Sequence, residues 1–120
     1  MKVDWVVPAS GMPFAGVVVR ATDDANYLLV RYWEGQLQIF RQQRGVWTAV
    51  GTAALVTAAP GGVHRLTVTA VGATVAVRWD STPALKVAES FNQTATRHGV
   101  NWAPFADALT AYDNFDVRIP

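Results

Sequence analysis

Apolar and polar residues alternate along most of this chain with a period of two, the pattern that puts successive side chains on opposite faces of an extended strand. FAGVVVRA (Phe14–Ala21), NYLLVRYW (Asn26–Trp33) and QLQIFRQ (Gln36–Gln42) are rich in β-branched and aromatic residues and bounded by turn-forming ones, so they predict strands. Glu34-Gly35 and Arg44-Gly45 suit tight hairpin turns, where glycine relieves a positive φ. VWTAV (Val46–Val50) predicts a weaker fourth strand, followed by a loose segment, GTAALVTAAPGG. HRLTVTA (His64–Ala70) and TVAVRWD (Thr74–Asp80) flank a second tight turn at VGA. ALKVAES (Ala84–Ser90) follows a Ser-Thr-Pro turn, KVDWVVP (Lys2–Pro8) opens the chain and YDNFDVRI (Tyr112–Ile119) closes it. The stretch from Phe91 to Leu109 reads as irregular, with a helical turn feasible only at Ala106–Ala111. Short strands with turn signals every eight to twelve residues or so predict an all-β fold, an antiparallel β-sandwich or barrel.

The phase of the alternation assigns faces. Leu28, Val30 and Tyr32 share one side of their strand, and Tyr27, Leu29, Arg31 and Trp33 the other. In the later hairpin Leu66, Val68, Val75, Val77 and Trp79 form an apolar side, predicted to be core, while Arg65, Thr67, Thr69, Thr74, Arg78 and Asp80 form a polar one. Trp5 is expected inside the first strand, and Trp33, Trp47 and Trp102 at or beside turns.

Composition narrows the classes. A chain of 120 residues with 51% hydrophobic and 16% charged residues is expected to be a single domain, 1–120, with a core that needs no staple. A net charge of +1, with basic residues scattered, gives no footprint for nucleic acid. No segment suits membrane insertion, and MKVDW puts a charge where a signal peptide would become apolar. The absence of cysteine excludes disulfides, thiolate metal sites and cysteine nucleophiles.

Three carboxylate or amide side chains in TDDAN raise the question of a metal loop. The segment lacks the glycine and the distant glutamate of a calcium loop and joins two strands, so Asp23, Asp24 and Asn26 are expected at a hairpin tip. No cofactor is implied. Catalysis is not expected either. A retaining glycosidase needs two carboxyl groups about 5 Å apart, whereas Glu34 falls in a turn, Glu89 ends a strand, and neither has a carboxylate two or four residues away. No G-x-S-x-G elbow accompanies His64 and His98, and His64 reads as a surface residue.

One run, AGVVVRATDDANYLLVRYWEGQLQIFRQQRGVW, resembles the concanavalin A-like lectin/glucanase superfamily, the jelly rolls of laminin-G-like type. The run HRLTVTAVGATVAVRWDS is similar to their later hairpin, and RHGVNW with ALTAYDNFDVRIP to their closing strand. The resemblance implies a jelly-roll sandwich whose first strand pairs with its last. Because only KVDWVVP precedes the Gly-apolar-Arg strand, an edge strand is expected to be missing, leaving YDNFDVRI or KVDWVV with unpaired backbone.

The implied function is a non-catalytic binding module for carbohydrate or another cell-surface or polymer ligand. The alternative is a structural or adhesion module of a larger assembly, such as a phage tail or capsid accessory protein. Glycoside hydrolysis stands a distant third. Partners are then a glycan or a protein, with homo-oligomerisation or assembly through an exposed edge strand, in an extracellular or virion-associated setting. Ligand recognition is expected on the polar sheet face, at Arg31, Gln38, Arg65 and Arg78, with a turn aromatic, Trp33 or Trp102. The plainer reading of that face is a solvated outer surface.

Overall fold

The computed structural model describes residues 1–10, 13–101 and 110–118. Within them the chain forms ten strands: β1 Lys2–Val6, β2 Phe14–Asp23, β3 Asn26–Trp33, β4 Gln36–Gln43, β5 Val46–Leu55, β6 Val63–Val71, β7 Thr74–Trp79, β8 Thr82–Ala88, β9 Arg97–Asn101 and β10 Ala111–Asp116. They build two antiparallel sheets packed as a sandwich, one ordered β10-β1-β6-β7-β8 and the other β5-β4-β3-β2-β9.

Both Gly turns form as the sequence reading expects. Glu34 and Gly35 have φ of 50° and 78°, and Arg44 and Gly45 of 52° and 79°, so each hairpin has two central residues in the left-handed region. That is the turn whose twist matches paired strands, and glycine supplies its second position without strain. The TDDAN loop is the tip of the β2–β3 hairpin. Asp23 Oδ1 accepts from the Ala25 N–H at 2.8 Å and from Asn26 Nδ2 at 2.9 Å, and Asn26 Oδ1 accepts from the Arg44 N–H at 2.9 Å, tying this tip to the β4–β5 turn.

The core takes in the apolar side of the β6–β7 hairpin, as its alternation predicts, and of the two faces of β3 the one with Leu28 turns inward. Leu28, Val30 and Tyr32 face Leu66, Val68, Val75, Val77 and Trp79 across the sandwich. Trp5, fully buried, meets Tyr32 at a ring distance of 5.1 Å, and Tyr32 stacks on Trp79 at 5.7 Å. Three strands from two sheets thus share one aromatic cluster, whose rings contribute both buried area and offset ring contacts.

Several expectations are corrected. Of the two segments expected to offer an unpaired edge it is YDNFDVRI, as β10, that does so, whereas KVDWVV is paired on both sides, β1 lying between β10 and β6. GTAAL is not loose but continues β5 to Leu55, past a bulge near Gly51. The segment read as irregular contains β9, which pairs with β2. β8 starts at Thr82 rather than Ala84, and Pro83 is tolerated there because β8 is an edge strand. His64 is not a plain surface residue: its ring stacks on Trp79 at 4.7 Å, with Nδ1 3.1 Å from Asp80 Oδ2. The helical turn considered at Ala106–Ala111 falls mostly outside the described residues, and Ala111 itself begins β10.

Tyr112 joins the sheets along one side. It sits on β10, yet its hydroxyl accepts from the Gly16 N–H of β2 and donates to the Asn101 carbonyl of β9, both at 2.9 Å. Burial pushes this phenol up from its ordinary pKa, opposed by the Gly16 bond, so it stays a neutral donor. Tyr112→Phe is expected to cost about 1–3 kcal/mol, because it leaves a backbone donor and acceptor unsatisfied without creating a large cavity. Urea denaturation checks this, and an unchanged midpoint would show that water replaces the hydroxyl.

Candidate functional site

The outer face of the β2–β9 sheet carries a connected strip of polar and aromatic side chains. Register places Arg31 of β3 opposite Gln38 of β4, Leu29 opposite Phe40, and Tyr27 opposite Gln42, which in turn faces Trp47 of β5. Arg31 Nε donates to Gln38 Oε1 at 3.0 Å, and Gln38 Nε2 donates to Gln36 Oε1 at 3.4 Å. The Arg31 guanidinium lies 4.5 Å above the Phe40 ring centre. Trp47 meets Phe40 and Tyr27 edge-on, each at 5.9 Å. Beneath these groups Leu29 is 2% exposed, so the strip has its own apolar floor on the side facing away from the core. Trp47 keeps 46% of its surface open. Gln42 Oε1 is enclosed without a hydrogen-bond partner among the described residues.

Arg31 is therefore held rather than waving. One nitrogen is bonded, the plane rests on an aromatic ring, and Gln38 cannot turn without losing two bonds. Desolvation lowers its pKa, and Glu34 in the β3–β4 turn opposes that shift. A flat guanidinium beside amides and open aromatic surface provides donors for oxygen ligands and a plate for an apolar ring face.

The structure divides the sequence-predicted site. Arg31, Trp33 and Gln38 stand on this face, with Trp33 packed against Phe14 at one end. Arg65 and Arg78 stand on the other sheet, on the opposite side of the sandwich. The expectation that all four polar residues converge is thus corrected: the two hairpins belong to different sheets, so their outward faces point apart. Arg65 forms a two-bond pair with Asp4, Nε to Oδ1 at 2.7 Å and Nη2 to Oδ2 at 3.0 Å, and Arg78 Nη1 donates to the Ser81 carbonyl at 3.1 Å. Trp102 lies outside the described residues. Trp47, Phe40 and Tyr27 were missing from the expected set. Trp47 did carry a signal, being one of three tryptophans at turns. Phe40 did not, because only the β3–β4 register puts it under Arg31.

The Arg65–Asp4 pair is structural and titrates accordingly. Hydrogen bonds from Arg65 and then Asn114 outweigh desolvation and hold the Asp4 pKa at about 2. A depressed carboxylate pKa stabilises the fold above the ordinary carboxylate range, and that contribution is lost as pH falls through the folded value. Stability of the native chain is expected to decline between about pH 4 and about pH 2, and Asp4→Asn to flatten that part of the profile. Urea midpoints across this range measure it. An identical slope in the variant would assign the acid sensitivity to other groups.

Elsewhere, a cleft of about 630 Å³ opens between the sheets, lined by Val19 and His98 on one side and Val68 and Thr69 on the other, with Gln93 and Thr96 at its rim. His98 Nδ1 accepts from the Arg20 N–H at 3.2 Å, and burial lowers its pKa, so the ring is held neutral. Among the described residues no group of three or more His, Cys, Asp or Glu side chains is arranged to hold a metal ion.

No protein-family model matches this sequence, and no curated protein sequence matches it. Solved structures do share its fold. The carbohydrate-binding module CBM66 from Bacillus subtilis superimposes with a TM-score of 0.67 at 14% identity, over 82% of this chain and 61% of that one. The chain thus spans less than two thirds of that module's length. Sheep galectin-11 gives 0.66 at 18% identity, over 82% and 78%. The Caenorhabditis elegans galectin LEC-6 gives 0.64 at 10% identity, over 84% and 74%. The architecture is a β-sandwich of the jelly-roll lectin type.

Proposed function

We propose that this chain is a non-catalytic carbohydrate-binding module that receives its ligand on the outer face of the β2–β9 sheet. The observation that carries this reading is the Gln36–Gln38–Arg31–Phe40–Trp47 strip, in which fixed donors adjoin open aromatic surface on a rigid sheet. Sugars present both kinds of surface at once, hydroxyl oxygens around the ring edge and C–H groups on its face. Support comes also from the neighbours' fold, a carbohydrate-binding module and galectins, as an analogy of architecture. The finer kinship with the concanavalin A-like superfamily of laminin-G type rests on the sequence blocks alone.

Trp47→Ala is expected to weaken binding of a glycan found on an array by about 1–3 kcal/mol, the usual worth of an aromatic anchor, with little change in melting temperature. Titration calorimetry on the purified chain measures it. Undiminished affinity in this variant would move the site off the strip.

A second reading has its own observation. β5 is an edge strand ten residues long without a charged side chain, and Val46 and Leu55 on it are 65% and 84% exposed. Such an edge suits pairing with another strand, as in a structural or adhesion module of a larger assembly. Solution mass separates the readings, since assembly through β5 requires an oligomer.

A further inference from the structure

We propose that the ligand of this face is an anionic glycan, one that presents carboxylate or sulfate oxygens to the terminal nitrogens of Arg31. This rests on the carbohydrate-binding reading of the strip and narrows it. The first argument is the polarity of the hydrogen-bond chain. Arginine has donors only, so the Gln38 atom bonded to Arg31 Nε must be its oxygen, and its amide nitrogen must point onward to the Gln36 oxygen. Chemistry, not the choice of amide orientation, therefore fixes the direction of the chain. Two acceptor oxygens are engaged inside it. The groups it leaves for a ligand are dominated by donors: the two terminal nitrogens of Arg31, the second hydrogen of Gln38 Nε2 and the nitrogen of Gln36. A neutral sugar hydroxyl both donates and accepts. Around Arg31 this surface is weighted toward donors, with acceptance left to second lone pairs of the glutamine oxygens and to the Tyr27 hydroxyl at the other end of the strip. A carboxylate or sulfate, which accepts at every oxygen, is answered fully and in a planar fork.

The second argument is charge. Strands β3, β4, β5 and β9 contain no aspartate or glutamate. The single carboxylate of β2, Asp23, lies at the hairpin tip and is bonded by Ala25 and Asn26. The cations of this sheet are arranged differently. Arg20 is buried, its Nη1 donating to the Glu89 carbonyl at 2.9 Å, and Arg41 pairs with the Glu89 carboxylate at 3.4 Å, so both are spent between the sheets. Arg97 lies on the edge strand β9, Arg31 is the cation in the middle of the outer strip, and the turn carboxylate Glu34 stands at the strip's end. The other sheet, by contrast, mixes Asp4, Asp113 and Asp116 with Lys2, Arg65, Arg78 and Lys86. The outer strip thus sets its cation among strands without carboxylates, whereas on the opposite sheet carboxylates are interspersed with the cations and one of them, Asp4, pairs with Arg65.

The test uses matched pairs of sugars on the intact chain by titration calorimetry. The pairs are an oligogalacturonide against its methyl ester, and a sulfated lactose against plain lactose. The acidic member of at least one pair is expected to bind about tenfold or more tighter than its neutral twin, with affinity falling as salt is raised. Whichever pair shows the difference identifies carboxylate or sulfate as the recognised group. Arg31→Gln is expected to abolish that preference, lowering acidic affinity by about ten- to a hundredfold, while circular dichroism and melting stay unchanged. Neutral twins that bind as tightly as the acidic ones, and lose affinity on Trp47→Ala, would overturn the anionic class and leave the carbohydrate-binding face standing. Binding indifferent to both Arg31→Gln and Trp47→Ala, or no binding to any of the four sugars, would overturn the inference together with the face it rests on.

Discussion

Val77→Asp is expected to leave the chain unfolded at room temperature. Val77 is 1% exposed, sits opposite Val68 and Leu85 in its ladders, and belongs to the cluster that includes Trp5, Tyr32 and Trp79. An unpaired carboxylate there costs several kcal/mol in desolvation, against a total stability of about 5–15 kcal/mol for an ordinary domain. Ala76→Asp is the matched control, because the neighbouring residue points outward, between Thr69 and Lys86. That variant is expected to change stability by no more than about 0.5 kcal/mol. Near-ultraviolet circular dichroism and urea denaturation of the pair test the register of β7 directly. A folded Val77→Asp beside an unfolded Ala76→Asp would mean the faces are reversed.

Arg20→Ala is expected to have the second largest effect. Arg20 is 2% exposed on a left-handed bulge of β2, with φ at 54°, where the ladders to β3 and to β9 both shift register. The bulge turns a side chain from the outer sequence of β2 into the space between the sheets. There Nη1 and Nη2 bond the Glu89 and Gly72 carbonyls at 2.9 and 2.7 Å, linking this sheet to both hairpins of the other. Burial lowers its pKa and the Glu89 charge opposes that shift. Removing it leaves two carbonyls without their donor and takes a positive charge from the neighbourhood of the Glu89 carboxylate, which keeps Arg41 and the Phe91 N–H as partners. A loss of about 2–4 kcal/mol follows, because two carbonyls lose the charged donor that satisfies them. Arg41→Ala, whose side chain is 34% exposed, is expected to cost no more than about 1 kcal/mol. Equal losses from the two variants in urea denaturation would deny Arg20 its bridging role.

The chain's local chemistry was sufficient for the all-β class, both Gly hairpins, the Asp23 tip and the inward positions of β6 and β7. Each depends on interactions within a few residues or on a period of two, and alternation reports which face is apolar. It was also sufficient to set Arg31 beside Gln38, because an arginine and a glutamine in phase on adjoining strands stay neighbours when the hairpin closes. It could not assign hairpins to sheets. Arg65 and Arg78 look equivalent to Arg31 along the chain, and only the packing of one sheet on another sends them to the far side. β9 and the end of β5 were illegible for a related reason. RHGVN and GTAAL have weak strand character of their own, and they become strands by completing ladders along β2 and β4. Arg20 shows the limit most sharply: as one polar residue after three valines it reads as the outward end of a strand. Its burial exists because a bulge rotates it toward carbonyls from Gly72 and Glu89, partners 52 and 69 residues away that sequence alone does not bring together.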